Sequence, residues 1–140
     1  MDTRFWISGA VMTVLSFALG FIVHGVLLGG DYAPLAGSLF RTPEDAHGYF
    51  PFMLLAHVLI GFAFTWIYRQ GRTAGASTLG QGVRFGLAVA ALMTIPIYLI
   101  YYAVQPMPEA LVAKQIVFDT IGVILMGIAV AYLNRAPGEA

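Results

Sequence analysis

The sequence predicts an all-α protein, a four-helix transmembrane bundle built from two helical hairpins. Of the 140 residues, 59% are hydrophobic and only 10% are charged, a composition typical of membrane proteins rather than soluble domains. The apolar residues form four continuous runs, each close to the roughly 20 residues that a spanning helix needs, without the two-residue alternation of strands. We expect one integral membrane domain over residues 1–140, with spans at about 5–28, 51–69, 82–104 and 111–133.

Charge, cysteine content and motifs exclude several classes of function. The formal net charge is zero, so electrostatic capture of nucleic acid is not expected. The chain contains no cysteine, which excludes disulfides, thiolate metal sites and a cysteine nucleophile. The GxSxG, HExxH, P-loop and dinucleotide-binding motifs of common enzymes are also absent. We therefore expect a protein that is not an enzyme.

The first span follows a single arginine, an arrangement that a secretory signal peptide also has. The apolar run, however, continues to Leu28 without a clear cleavage site of small residues. We expect this segment to be retained as a transmembrane helix.

The loop 29–50 before the second span carries a helix-start signal. Residues 42–45 combine a capping threonine, a proline suited to the first helical position and two acids that favour a helix N-terminus. The second helix is therefore expected to begin outside the membrane and to bend near Gly48 and Pro51. Residues 33–40 fit either a short helix lying in the membrane interface or a loop folded over the outer mouth of the bundle.

The third span contains a stripe of small residues spaced by four. Gly82, Gly86 and Ala90 share one helical face, and such a face lets two helix backbones approach closely in lipid. The pattern does not distinguish packing within the chain from packing against another copy or subunit. Pro96 predicts a kink in the same span, because its ring removes a backbone hydrogen bond and displaces the carbonyl of Leu92.

The fourth span carries a carboxylate, Asp119, near its middle. A charged group at that depth is costly in hydrocarbon, so it is expected to face partner groups inside the bundle. Gln115 lies one helical turn away and can share its face. Lys114 lies on a different face and is expected to extend its amine to the outer headgroups.

Polar side chains from several spans converge at the depth of Asp119. At a rise of 1.5 Å per residue, His24, His57 and Asp119 lie roughly 6, 9 and 12 Å inside the outer ends of their helices. The candidate ligand-binding cluster comprises His24, His57, Tyr98, Tyr101, Tyr102, Gln115 and Asp119. We expect Asp119 to lie within hydrogen-bonding reach of a histidine or tyrosine of this cluster.

Two interpretations of the cluster remain. In the first, its members form interhelical hydrogen bonds that hold the bundle together. In the second, they line a polar pocket in the outer leaflet for a small ligand such as haem, a divalent metal ion or a quinone-like headgroup. Two histidines without a fixed spacing are weak evidence for a metal or haem, which favours the structural interpretation. His47 lies in the outer loop and is expected to be solvated.

Basic residues divide unequally between the two sides of the predicted bundle. One side has Arg4, Arg69, Arg72, Arg84 and Arg135, and the other has Arg41 and Lys114. The richer side also has the aromatic residues Trp6, Trp66, Tyr68 and Tyr132, which fit a belt at the membrane interface. Because cytoplasmic loops carry the excess of Lys and Arg, both termini are expected to be cytoplasmic.

Four stretches resemble a family of small, uncharacterised bacterial inner-membrane proteins. They are HGVLLGGDY (24–32), the IYRQG exit of the second span, GQGVRFGL (80–87) and YAVQPMPEAL (102–111). Members of this family have four helices, and the family is defined by a domain of unknown function. The resemblance implies the topology and a bacterial inner-membrane location, and it implies no catalytic residues.

These observations favour an accessory or structural subunit of a membrane complex. The expected partners are the lipid bilayer and other membrane subunits or a second copy, and the small-residue face of the third span is the expected docking surface. The alternative is a protein that binds or transports a small ligand through the outer-leaflet polar pocket.

Overall fold

The computed structural model describes residues 2–135, which form an all-α four-helix bundle. Four helices are long and apolar enough to cross a membrane: α1 (Thr3–Leu27), α2 (Pro43–Gly71), α3 (Thr78–Val104) and α4 (Glu109–Leu133). The predicted fold class is confirmed, and the chain is a multi-pass membrane protein. The predicted domain 1–140 extends beyond the described residues at both ends.

The four helices pair as two hairpins. Helix α1 packs along α2, α3 packs along α4, and contacts between α1 and α4 join the hairpins. We call the end with Asp2 and Asn134 the terminus end, and the end with the α1–α2 and α3–α4 connections the loop end. At the terminus end, the Arg69 guanidinium donates two hydrogen bonds to the Asp2 carboxylate, at 2.7 and 2.9 Å. This pair fixes the start of α1 against the last turns of α2.

Capping side chains explain where α2 and α3 begin. The N-cap of α2 is Thr42, whose Oγ1 accepts a hydrogen bond from the backbone N–H of Asp45 at 3.3 Å. A 3₁₀ turn at His47–Tyr49 interrupts α2 near the expected bend. Helix α3 begins earlier than predicted, because Ser77 Oγ accepts a hydrogen bond from the backbone N–H of Gly80 at 3.3 Å. Hydropathy marks only the membrane core of a helix, whereas capping lets a polar turn precede it.

Two of the helices contain π-helical segments. One, Phe21–Leu27, ends α1, and the other, Ala90–Thr94, lies in α3 immediately before the turn that contains Pro96. A π turn pairs a carbonyl with the N–H five residues later, so it can bypass the donor that a proline lacks. A kink was expected at Pro96, and the structure has a π-helical turn directly before it. The segment in α1 has no proline and was not predicted.

The small-residue stripe of α3 lies directly against α4. A Cβ atom added at Gly82 or Gly86 would lie only 2.7 or 2.6 Å from a Cα atom of α4. A Cβ atom added at Gly127 of α4 would overlap the carbonyl oxygen of Gly82, and Ala90 continues the stripe as a buried residue. The stripe thus packs within the chain. The face predicted to dock another subunit is occupied by α4, because glycines on both helices allow their backbones to touch.

Two apolar clusters form the core, one in each half of the bundle. The cluster nearer the terminus end contains Met12, Phe64, Tyr68, Met126, Val130 and Ala131. The cluster at the loop end contains Val23, Leu28, Met107, Leu111 and Val112. Leu35, Leu39 and Phe40 pack against this second cluster. Of the two interpretations of residues 33–40, the structure therefore shows the loop folded over the bundle, with a 3₁₀ turn at Ala33–Leu35.

Helices α2 and α3 contact each other only in part. Phe64 and Tyr68 of α2 lie edge-on to Phe85 of α3, with ring centroids 4.7 and 5.4 Å apart. Tyr68 is buried there, so its assignment to the interfacial aromatic belt is wrong. By contrast, neither residues 50–60 nor residues 91–104 contain any buried residue. The loop-end halves of α2 and α3 therefore leave most of their apolar surface uncovered by the rest of the chain.

Candidate functional site

Asp119 lies inside the bundle, where side chains from two other helices reach its carboxylate. The phenol of Tyr98 in α3 donates a hydrogen bond to Asp119 Oδ2. His24 of α1 places its Nε2 atom 3.3 Å from the same oxygen. The side chain of Asp119 is 19% exposed and that of His24 is 39% exposed. One carboxylate oxygen thus connects three helices.

A second set of hydrogen bonds continues from His24 to a tyrosine in the loop. His24 Nδ1 lies 2.7 Å from the Tyr32 hydroxyl, and Gln115 Nε2 donates a hydrogen bond to that hydroxyl at 2.8 Å. Burial raises the pKa of the Tyr32 phenol, which keeps its proton available. Because the phenol accepts from Gln115, it can donate to Nδ1, which leaves the proton of a neutral imidazole on Nε2, facing Asp119. These hydrogen bonds form a single network.

We call this set the polar network; its members are His24, Tyr32, Tyr98, Gln115 and Asp119. Tyr32 was not predicted to belong to it, because Tyr32 lies in the loop after α1 and not within a span. It ends a short helix, Gly29–Tyr32, that follows α1 and turns back over the bundle. The available signal was closeness in sequence, because the stretch HGVLLGGDY contains both His24 and Tyr32.

An ion pair holds the short helix that carries Tyr32. Lys114 Nζ of α4 donates hydrogen bonds to both carboxylate oxygens of Asp31, at 2.8 and 3.0 Å. The amine of Lys114 was expected to reach the outer lipid headgroups, but it binds the carboxylate of Asp31 in the neighbouring loop instead. Both side chains are partly exposed, so the pair contributes about 1 kcal/mol or less to stability. Its main effect is to fix the position of the loop.

His57 does not join the polar network. Its Nδ1 atom lies 2.8 Å from Ser16 Oγ of α1, and its ring packs edge-on against Phe17 at 5.2 Å. Ser16, Gly20 and His24 are spaced by four, a spacing that puts side chains on one face of a regular α-helix. The π-helical segment begins directly after Gly20 and changes that register. Ser16 accordingly contacts α2, whereas His24 contacts α4.

Tyr101 and Tyr102 also lie outside the polar network. Both side chains are exposed, and within residues 2–135 no hydrogen bond joins them to Asp119 or His24. They lie about a turn nearer the loop end than Tyr98, beyond the level of Asp119. Tyrosines at this level are typical of the membrane interface.

The described residues offer little to a metal ion. Within 2–135, no group of three or more His, Cys, Asp or Glu side chains is placed to hold one. Both ring nitrogens of His24 already face partners, Tyr32 and Asp119. Ligation of haem or a metal by His24 would therefore require one of these contacts to break.

One buried polar atom of the network has no hydrogen-bond partner among the described residues. Gln115 is only 3% exposed, and within the described residues its Oε1 atom accepts no hydrogen bond. A buried acceptor without a donor costs stability, so a bound hydroxyl or N–H group would be stabilised there.

Comparisons with protein-family models, with curated protein sequences and with solved structures find no match to this chain. Its function is therefore inferred from the geometry of the described residues.

Proposed function

We propose that this chain is a non-enzymatic integral membrane protein that serves as an accessory or structural subunit of a membrane complex. The observation that carries the proposal is the pair of segments 50–60 and 91–104, neither of which contains a buried residue. Helices in lipid are held by close packing against other helices. Within the chain, the loop-end half of α2 contacts α1 and that of α3 contacts α4 on one side only, so a helix of another subunit would cover the remaining apolar surface.

The polar network supports a structural role. All five of its side chains make a polar contact with another member, and together they link α1, α3, α4 and the loop helix. Interhelical hydrogen bonds of this kind in membranes contribute about 0.6 to 2 kcal/mol each. The network therefore stabilises the loop end, where α2 and α3 themselves contribute little packing.

Photo-crosslinking in the native membrane tests this proposal. A photoreactive residue placed at Leu92, which is 73% exposed in α3, is expected to form a discrete adduct with another protein. The matched control is Val14, which is 70% exposed on α1, a helix whose opposite face is buried. Val14 is expected to crosslink to lipid only. Lipid adducts alone at both positions would contradict the proposal.

The alternative function is binding or transport of a small ligand at the polar network. The partnerless Oε1 atom of Gln115 and the partial exposure of His24 favour it. A quinone-like headgroup, haem or a metal ion are the ligand classes that these side chains could contact. The two functions can be distinguished with protein purified in mild detergent, by its visible spectrum and by metal analysis. A colourless, metal-free protein would favour the structural role over binding of haem or a metal ion.

We further propose that the protein lies in a bacterial inner membrane with both termini in the cytoplasm. The support is the grouping of Arg4, Arg69 and Arg72 at the terminus end. Single cysteines at Ala74 and Ser38, both exposed in loops at opposite ends, provide the test. An impermeant thiol reagent added to intact cells is expected to label Ser38→Cys and to spare Ala74→Cys. The reverse pattern would invert the topology.

A further inference from the structure

A basic cavity opens at the terminus end, distant from the polar network. Its volume is about 270 Å³, and it is lined by Asp2, Arg4, Arg69, Arg72 and Asn134. Among the described residues, three arginines and one aspartate line it, so this part of the lining carries more positive than negative groups. The lining residues come from the start of α1, the end of α2 and the residues that follow α2 and α4.

Within residues 2–135, two of the arginines keep hydrogen-bond donors for a ligand. Arg4 donates one hydrogen bond, to the carbonyl oxygen of Arg135 at 2.8 Å, and Arg69 donates its two hydrogen bonds to Asp2. A guanidinium has five N–H donors in a planar fork that matches the oxygens of a phosphate. Asn134 is buried and anchored, because its Nδ2 atom donates to Ser8 Oγ at 3.0 Å and to the carbonyl of Val130 at 2.9 Å. Asn134 thus forms a buried, hydrogen-bonded part of the cavity wall, and Arg4 and Arg69 supply N–H donors to it.

The level of the cavity in the membrane indicates its ligand. Trp6, Trp66 and Tyr132 lie near the same end of the helices, and all three side chains are exposed. Exposed tryptophan and tyrosine at helix ends mark the headgroup region of a bilayer. The most abundant anions in that region are the phosphates of phospholipids, and basic pockets between transmembrane helices bind anionic headgroups.

We propose that this cavity is a binding site for a phosphate group, with Arg4 and Arg69 donating hydrogen bonds to its oxygens and Arg72 adding positive charge. An anionic phospholipid headgroup and free inorganic phosphate both carry this chemistry. The Asp2 carboxylate opposes the bound anion, because it is negative and engages two donors of Arg69. The hydrogen bonds from Arg69 hold the pKa of Asp2 well below its usual range, so this opposing charge persists at neutral pH.

Variants with opposite expected effects test the site in detergent micelles. Arg4→Gln removes a donor and a positive charge, and it is expected to weaken binding of phosphatidylglycerol about fivefold. Asp2→Asn keeps an N-cap side chain for α1 but removes the opposing charge, and it is expected to tighten binding by a similar factor. Arg84→Gln is the matched control, since Arg84 is exposed on α3 and does not line the cavity. It is expected to leave the affinity unchanged.

Native mass spectrometry of each variant, titrated with phosphatidylglycerol, phosphatidylcholine or inorganic phosphate, measures these affinities. Binding of phosphatidylglycerol alone would assign the site to an anionic lipid, whereas equal competition by inorganic phosphate would assign it to the free anion. The proposal is overturned if the wild-type protein binds none of these phosphates. It is also overturned if Arg84→Gln weakens binding as much as Arg4→Gln, because surface charge alone would then explain the effect. Thermal unfolding of each variant, without ligand, verifies that the compared proteins are folded.

Discussion

Replacing Gly127 with alanine is expected to force α3 and α4 apart. The added Cβ atom would overlap the backbone carbonyl oxygen of Gly82 and would lie only 2.8 Å from the backbone nitrogen of Gly86. Backbone atoms cannot rotate away as the end of a side chain can, so the helices themselves must move. Overpacking of this kind costs about 1 to 3 kcal/mol and more where backbones must shift, and we expect a loss of about 3 kcal/mol or more.

The same helix supplies a matched control for this change. Gly122 lies on α4 with no atom within 4 Å of the position that its Cβ would occupy. Gly122→Ala is therefore expected to leave stability unchanged or to raise it by up to about 1 kcal/mol, since alanine is the better helix former. Unfolding by a denaturing detergent, titrated into mixed micelles, measures both variants. Equal stabilities for Gly127→Ala and Gly122→Ala would show that α3 and α4 do not touch at this glycine.

Replacing Asp119 with leucine is expected to weaken the loop end of the bundle. The change leaves the Tyr98 hydroxyl and His24 Nε2 without the oxygen that both contact. Each partner that is left unsatisfied costs about 1 to 3 kcal/mol when fully buried, but hydrogen bonds in membrane proteins average less. Because His24 is partly exposed, we expect a total loss of about 2 kcal/mol, measured by the same detergent titration.

Asp119→Asn separates the structural role from a ligand-binding role. The amide oxygen of asparagine can accept from both Tyr98 and His24, because both contacts are made to one carboxylate oxygen. A structural network therefore predicts that Asp119→Asn is nearly as stable as wild type. A double-mutant cycle measures the energetic coupling between Tyr98 and Asp119. Tyr98→Phe is expected to lower the free energy of unfolding less in the Asp119→Leu background than in wild type.

The ligand-binding alternative makes the opposite prediction for these variants. If Asp119 served only a ligand, then Asp119→Leu would fold with wild-type stability and would lose a bound haem or metal that the wild-type protein retained. Visible spectra and metal analysis of both proteins, taken beside the unfolding curves, record this outcome. A stable Asp119→Leu variant would end the structural interpretation of the network.

The positions of the spans and the start of α2 follow from local properties of the sequence. The spans are determined by the free energy of moving about 20 apolar residues into lipid, a quantity that depends on each segment alone. The start of α2 at Pro43 was predicted from residues 42–45, since a cap requires only neighbouring residues. The grouping of Arg4, Arg69 and Arg72 at one end follows from the same reasoning, because consecutive spans must alternate in direction.

The partners of the polar side chains depend on the tertiary structure. A row of residues spaced by four faces one direction only while the helix stays regular, and the π-helical segment of α1 separates Ser16 from His24. Tyr32 enters the polar network from a loop whose path hydropathy does not specify. The glycines of α3 could pack on any helix with a small face, and only the assembled bundle shows that α4 supplies it. The cavity of arginines likewise forms from residues distant in sequence, so the sequence determined the spans and their ends, whereas helix rotation and loop path decided which side chains meet.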